Sequence, residues 1–300
     1  MMFDEVIVPL DGSSESARAL RPASAVAHYL DVNMRVVAYH PPKDDAFELT
    51  RLVRKQVGEI GDVSRSIEIG PMNEPVAQLV QRLREESPDA LVAMSTRGRS
   101  RSAALIGSVA NEVLSRSHLP VLLIGPECDV ARFRLHGPMI VATDASPCTE
   151  SALKLAADVT EAFDFEPIVV NVIDPATARA LDRARSGPSG YDYVPDSAMA
   201  HRFSEDLGEL TGITDVDYQV LHGNNPGRSI AAHVDDVGAR LVTMATHARS
   251  GLGRLALGSV TAHVVAHSHC PVLVIAPELP NGDATPAEPS DAGELVEEIE

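Results

Sequence analysis

The sequence predicts an α/β fold made of two tandem, doubly wound domains, each on a parallel five-stranded sheet. Three observations carry this expectation. Short runs of Val, Ile and Leu alternate with helical patterns along the chain, as they do in parallel sheets covered on both faces. The alternation then repeats itself. "VIVPLDGSSESARAL" at 6–20 is echoed by "MIVATDASPCTESAL" at 139–153, and "DALVAMSTRGRS" at 89–100 by "ARLVTMATHARS" at 239–250. "IGSVANEVLSRSHLPVLLIGP" at 106–126 is echoed by "LGSVTAHVVAHSHCPVLVIAP" at 257–277. A period of about 150 residues is too long for a solenoid and marks a duplicated domain. Finally, a chain of 300 residues suits two domains of ordinary size.

Taken in order, Val6–Leu10 reads as a buried strand. Asp11-Gly12-Ser13-Ser14 turns the chain and supplies an N-cap for a helix over Glu15–Leu30. A strand at Arg35–Tyr39, a helix over 45–58, a strand at Ser64–Ile69 and a helix over Glu74–Glu86 follow. Ala90–Ser95 is a strand, Ser108–Ser115 a helix, and Val121–Ile124 the last strand of the first copy. The boundaries expected are 1–127 for the first domain, 128–136 for a linker and 137–278 for the second domain. Residues 279–300, with seven acids and no Lys or Arg, read as a disordered acidic tail. The second copy carries an insertion between its second and third strands. It includes "RSGPSGYDYVPDS" at 185–197, within a Gly-, Pro- and Ser-rich surface loop over 183–197 that can also be a lid.

Composition narrows the function. The formal charge is −18, which opposes nucleic acid or an anionic membrane as a partner, so an anionic ligand needs a local cluster of positive groups. Three cysteines without a C-x-x-C motif fit a reducing compartment. The acidic start "MMFDEVIVPLDGS" is unlike a secretion signal, and no run nears the ~18 apolar residues of a membrane helix, so a cytoplasmic location is expected.

The chemistry concentrates at two glycine-serine junctions. Gly107-Ser108-Val109 and Gly258-Ser259-Val260 each open a helix, where free N–H groups and the helix dipole favour an anion. Arg97, Arg99 and Arg101 precede the first junction; His247, Arg249 and Arg254 precede the second. An ordinary glycine-serine cap beside a solvated basic loop accounts for the same residues. Asp11 and Asp144 each follow a first strand, where a carboxylate can bond a ribose or adenine edge or cap the next helix. Both features fall at the carboxyl ends of strands, where open α/β sheets bind ligands.

On "VIVPLDGSSES", "MIVATDASPCTESA" and the two "GSV" stretches leading to "HLPVLLIGP" and "HCPVLVIAP", the chain up to about residue 278 resembles the universal stress protein (UspA-like) family. The resemblance implies a Rossmann-like fold of the adenine nucleotide alpha hydrolase type. It also implies pairing through the last strands, and ATP bound by G-x-x-G-x(9)-G-[ST] after the fourth strand. That motif falls on Ala245, Ala248 and Gly258-Ser259 in the second copy, with spacing intact and both early glycines replaced. In the first copy it falls on Ser95, Gly98 and Gly107-Ser108, one residue short. The family's other contacts map to Pro9, Leu10, Asp11, His40 and Met94 in the first copy, and to Ala142, Thr143, Asp144, Val172 and Met244 in the second.

The function this implies is a stress-response regulatory protein that binds an adenine nucleotide, ATP with or without Mg, at one or both domains. Efficient catalysis is not implied, and two tandem chains are expected to form a homodimer. Two other readings stay open: a nucleotide-free interaction module, favoured by Ala245, Ala248 and the shortened loop, and a slow ATP hydrolase. No G-x-x-x-x-G-K-[ST], G-x-S-x-G or kinase element is present, so no catalytic residue is assigned. His263, His267, His269 and Cys270 cluster, and His263 and His267, four apart on one helix face, have metal-ligand spacing. Their first-copy counterparts are Glu112, Arg116, His118 and Leu119, so no metal is assigned.

Overall fold

The computed structural model describes residues 3–41, 46–61, 64–97, 107–144, 149–173, 196–246 and 257–276. The first half runs β1 (Glu5–Pro9), α1 (Ser14–Ala17), α2 (Leu20–Leu30), β2 (Asn33–His40), α3 (Ala46–Gly58), β3 (Arg65–Pro71), α4 (Val76–Glu86), β4 (Ala90–Ser95), α5 (Ser108–Arg116) and β5 (Val121–Ile124). The second runs β6 (His136–Thr143), α6 (Thr149–Ala162), β7 (Asp164–Ile173), α7 (Asp196–Thr211), β8 (Asp217–His222), α8 (Pro226–Val237), β9 (Leu241–Ala245), α9 (Ser259–His267) and β10 (Val272–Ile275). The insertion read as a loop lies outside the described residues, apart from Asp196 and Ser197, which open α7.

The ten strands form one sheet in the order β3-β2-β1-β4-β5-β10-β9-β6-β7-β8. Neighbours within each half are parallel, and the halves join where β10 runs antiparallel to β5. The two five-stranded sheets are therefore continuous through their last strands, as the resemblance implied. Val121, Leu122 and Leu123 face Val274, Leu273 and Val272 in turn. The repeat makes Leu122 the counterpart of Leu273, so a pseudo-two-fold axis passes between these two side chains. All six residues are buried. Burying a side chain of this kind contributes about 1.5–3 kcal/mol, so exposing the seam is strongly disfavoured.

Alternate residues of each strand feed one of two cores. Val6 and Val8 join α2, α3 and α6 on one face, whereas Ile7 joins α4, α5, α8 and α9 on the other. This two-sided burial is why the central strands read as unbroken apolar runs. The outermost strands, β3 and β8, are largely exposed or half-buried along their length.

One expected element divides. The helix over Glu15–Leu30 is two helices, broken at Arg18 and Ala19. A continuous helix would need Pro22 to donate an N–H to Arg18, and proline has none. The second helix starts afresh and holds Pro22 in its first turn, where no donor is required.

Candidate functional site

In each half the chain lays strands outward in one direction, then returns to the first strand and continues in the other. These reversals fall between β1 and β4, and between β6 and β9. Such switch points leave a crevice beyond the carboxyl ends of the two strands. Pro9 ends β1, with Leu10 and Asp11 just beyond it, beside Met94 and Ser95 at the end of β4. In the second half, Ala142 and Thr143 end β6, with Asp144 just beyond, beside Met244 and Ala245 at the end of β9, with Ala142 level with Met244.

Most of these side chains are already engaged inside the protein. Met94 and Met244 are buried in the core. Ser95 Oγ donates to the Ile124 carbonyl at 3.4 Å, and Thr143 Oγ1 to that of Val170 at 3.4 Å. Asn171 Nδ2 donates to the Thr143 carbonyl at 3.2 Å. Asp11 Oδ1 accepts from Ser13 N at 2.9 Å and from Ser13 Oγ at 2.5 Å. Gly12, at φ +80°, makes that tight turn possible. Ser13 Oγ in turn accepts the Ser16 N–H and caps α1. The crevices therefore present main chain more than side chain to a ligand.

Helices α5 and α9 begin at these crevices. Gly107 and Gly258 are their N-caps, neither with a side-chain cap hydrogen bond. Their φ values of −67° and −60° suit any residue, so conformation does not demand glycine. Among the described residues, a Cβ at Gly258 would meet nothing within 4 Å, and one at Gly107 only the Thr96 carbonyl at 3.6 Å. Glycine here leaves open space in front of the first N–H groups, beside exposed Ser108 and Ser259.

The two starts are anchored differently. Gly107 N donates to the Thr96 carbonyl at 2.8 Å, whereas Gly258 N donates to Thr246 Oγ1 at 3.2 Å. Thr96 and Thr246 are repeat counterparts, and both donate their own N–H to the end of the last strand. Neither threonine was singled out from the sequence, nor was Asn171. The shared "T" of "STR" and "ATH" was the available signal. Gly98, Ala248 and the basic residues Arg99, Arg101, His247, Arg249 and Arg254 lie outside the described residues, and Arg97 is exposed.

Register corrects one equivalence. Pro9 is level with Val37 and Ala142 with Val170, which makes Val172 the counterpart of Tyr39, and Ile173 that of His40. His40 Nδ1 sits 2.9 Å from the Pro41 carbonyl. Beside it, Tyr39 bonds Glu68, which also binds Arg35 at 2.6 Å. Burial would raise the Glu68 carboxyl, but Tyr39 and Arg35 outweigh it and hold it below its ordinary value.

The histidine group at the other end of α9 does not converge. The His263 and His267 ring centroids lie 4.5 Å apart with the rings tilted by 47°, but His267 Nδ1 meets Glu127 Oε1 at 3.1 Å and His269 Nδ1 meets Asp235 Oδ1 at 2.7 Å. No group of three metal-ligating side chains forms among the described residues. Burial pushes the Cys128 thiol up to about 12 and raises Cys270 as well, so both are poor nucleophiles. No described helix is long and apolar enough to cross a membrane.

The sequence profile of the universal stress protein family matches residues 49–125 and 137–276. Universal stress protein Rv1996 of Mycobacterium tuberculosis is 26% identical, over 94% of this chain and 97% of its own length. Universal stress protein MJ0531 of Methanocaldococcus jannaschii is 28% identical over 47% of this chain and 82% of its own. In structure, a universal stress protein from Archaeoglobus fulgidus superimposes with a TM-score of 0.61 over 91% of this chain and 96% of that one, at 20% identity. The profile covers most of both repeats, and the chain belongs to the universal stress protein family.

Proposed function

We propose that this chain is a stress-response regulatory protein that binds an adenine nucleotide, ATP, at its switch-point crevices, with the second half the stronger site, and without efficient catalysis. One observation carries the reading: at each crevice a helix begins on a glycine that no side chain caps and that conformation does not require. Such a start offers unpaired N–H groups and positive dipole density to a phosphate, and a side chain there would block the approach. The second half is favoured because its motif spacing is intact and the space around Gly258 is open. In the first half the motif is one residue short, and Gly107 N donates to the Thr96 main chain. That observation favours a second reading for the first half alone, as a structural partner that holds no nucleotide. Bound ATP would act as a ligand that changes partner binding; among the described crevice residues, Ser95, Thr143 and Asp11 already make internal hydrogen bonds. The same reading places the protein in the cytoplasm, as a homodimer of tandem chains.

The test is titration calorimetry of ATP with Mg²⁺ into nucleotide-stripped protein. One site per chain is expected, lost in Gly258→Asp and kept in Gly107→Asp. Ligand at 100 times its dissociation constant should also stabilise by about 2.7 kcal/mol. No heat and no thermal shift at millimolar ATP would overturn the reading. Sedimentation of the full chain tests the homodimer.

A further inference from the structure

The pseudo-two-fold axis at the seam exchanges the halves, and a two-fold contact is made twice, once in each direction. After β5 the chain crosses onto the second half. It runs Gly125-Pro126-Glu127; Glu127 Oε1 meets His267 Nδ1 at the end of α9, and Asp129 N donates to the His269 carbonyl at 2.9 Å. Asp129, Arg132 and Phe133 then line a cavity of about 310 Å³ against Val234, Asp235 and His269.

After β10 the sequence reads Ala276-Pro277-Glu278, the same order of small residue, proline and glutamate. The repeat makes Arg116 the counterpart of His267 and His118 that of His269. The crossing back has begun where the described chain stops: the Ala276 carbonyl lies 3.3 Å from His118 Nδ1. His118 also lines a cavity of about 620 Å³ between α4 and α5, with Gln81, Arg84, Glu85, Ser115 and Arg116. Its volume is twice that of the cavity the linker lines. Two arginines and a histidine face it against one glutamate.

We propose that residues 277–300 dock in this α4–α5 groove, with Glu278 on Arg116 as Glu127 is on His267, and with later acids reaching Arg84 and His118. The segment carries eight acids and no Lys, Arg or His, so its charge complements the groove. Arg116 lies 2.6 Å from Glu112 on its own helix and is half exposed, so it can be shared with a second carboxylate. The random-coil span for 24 residues is about 27 Å root-mean-square, enough to reach across the groove, and tethering at its rim gives an effective concentration of order millimolar. The second half could not serve as well: Val234 and Asp235 stand at the places of Arg84 and Glu85, and the linker already lies there.

The test uses the full chain with Cys148→Ser and a fluorophore on Glu288→Cys; Cys128 and Cys270 are buried. Time-resolved anisotropy is read at micromolar protein and low salt. A docked segment gives a large slow component, and Arg84→Ser/Arg116→Ser or 0.5 M NaCl should at least halve it. Lys154→Ser, on α6, should leave it unchanged, and Arg116→Glu with Glu278→Arg should restore what Arg116→Glu alone removes. Equal mobility in the parent and the double variant overturns the proposal. So does an equal loss in Lys154→Ser, which would mean diffuse attraction. Restraint that grows with protein concentration would put the segment on a second copy and equally overturn it.

Discussion

The two halves share a topology, a core and a helix start, yet they solve one problem differently. Ten residues separate Thr96 from Gly107, and eleven separate Thr246 from Gly258. With the longer loop, Gly258 N reaches the Thr246 hydroxyl; with the shorter one, Gly107 N takes the Thr96 main-chain carbonyl. Thr96 Oγ1 is then buried without a hydrogen-bond partner among the described residues. A one-residue deletion has thus been absorbed by exchanging a side-chain acceptor for a main-chain one. Helix packing diverges in the same way. Gly227 in α8 lets α9 come close, since a Cβ there would stand 2.7 Å from His263 Cβ and 2.9 Å from the Val260 carbonyl. Its counterpart Ala77 carries that methyl group and lines the wider α4–α5 groove. The duplicated fold keeps its sheet and lets its helices and loops drift.

The largest effect should come at the seam. A Cβ on Gly125 would lie 1.8 Å from the Val265 carbonyl, a main-chain atom that cannot swing aside. Gly125→Ala should cost about 3 kcal/mol or more, because overpacking that moves backbone exceeds the usual range. Its counterpart Ala276 already bears a methyl group, so Ala276→Gly should cost less than about 1 kcal/mol. Urea unfolding of both variants checks the asymmetry; similar losses would show that the seam is symmetric after all. Next in size is Gly227→Ala, expected to cost about 1–3 kcal/mol by forcing α8 from α9. Ala77→Gly should cost about 0.5–1 kcal/mol through helix entropy alone.

Smaller still is the threonine exchange. Thr246→Val removes the acceptor of Gly258 N and should cost about 1 kcal/mol, while weakening any nucleotide held at that helix start. Thr96→Val removes a hydroxyl with no partner among the described residues and should be neutral or slightly stabilising. Equal losses in both variants would mean the two anchors do the same work.

The sheet was legible because buried parallel strands write themselves as continuous Val, Ile and Leu, and because the repeat shows each strand twice. The crevices were legible for a related reason: glycine before serine at a helix start is a local pattern. The break in the first helix was readable from Pro22, whose missing N–H acts only four residues upstream. Register across β1–β2 was not readable, so His40 was matched to Val172 when Tyr39 stands there. Nor could the sequence show that Asp11 is turned onto Ser13, or that Gly125 is needed for the approach of Val265, which is 140 positions away. Those facts depend on tertiary contacts, and no local propensity encodes them.

The last difference between the halves is one of charge. His118 faces a main-chain carbonyl at 3.3 Å, whereas its counterpart His269 faces the Asp235 carboxylate at 2.7 Å. The Asp235 hydrogen bond raises the His269 pKa above its ordinary 6.5, against a smaller opposing effect of burial. A raised folded-state pKa means that the pair stabilises fully below the unfolded value of 6.5, and that this contribution fades as pH rises through the folded value. Both side chains are about half exposed, so the effect lies within the ~0–1 kcal/mol of surface pairs. Asp235→Asn should lower the His269 titration in an NMR pH series. It should also destabilise the chain at pH 5.5 and leave it nearly unchanged at pH 8.5. The His269 carbonyl also accepts the linker's Asp129 N–H, so a cost of Asp235→Asn that is equal at both pH values would assign the residue to holding the linker geometry, with no part in charge.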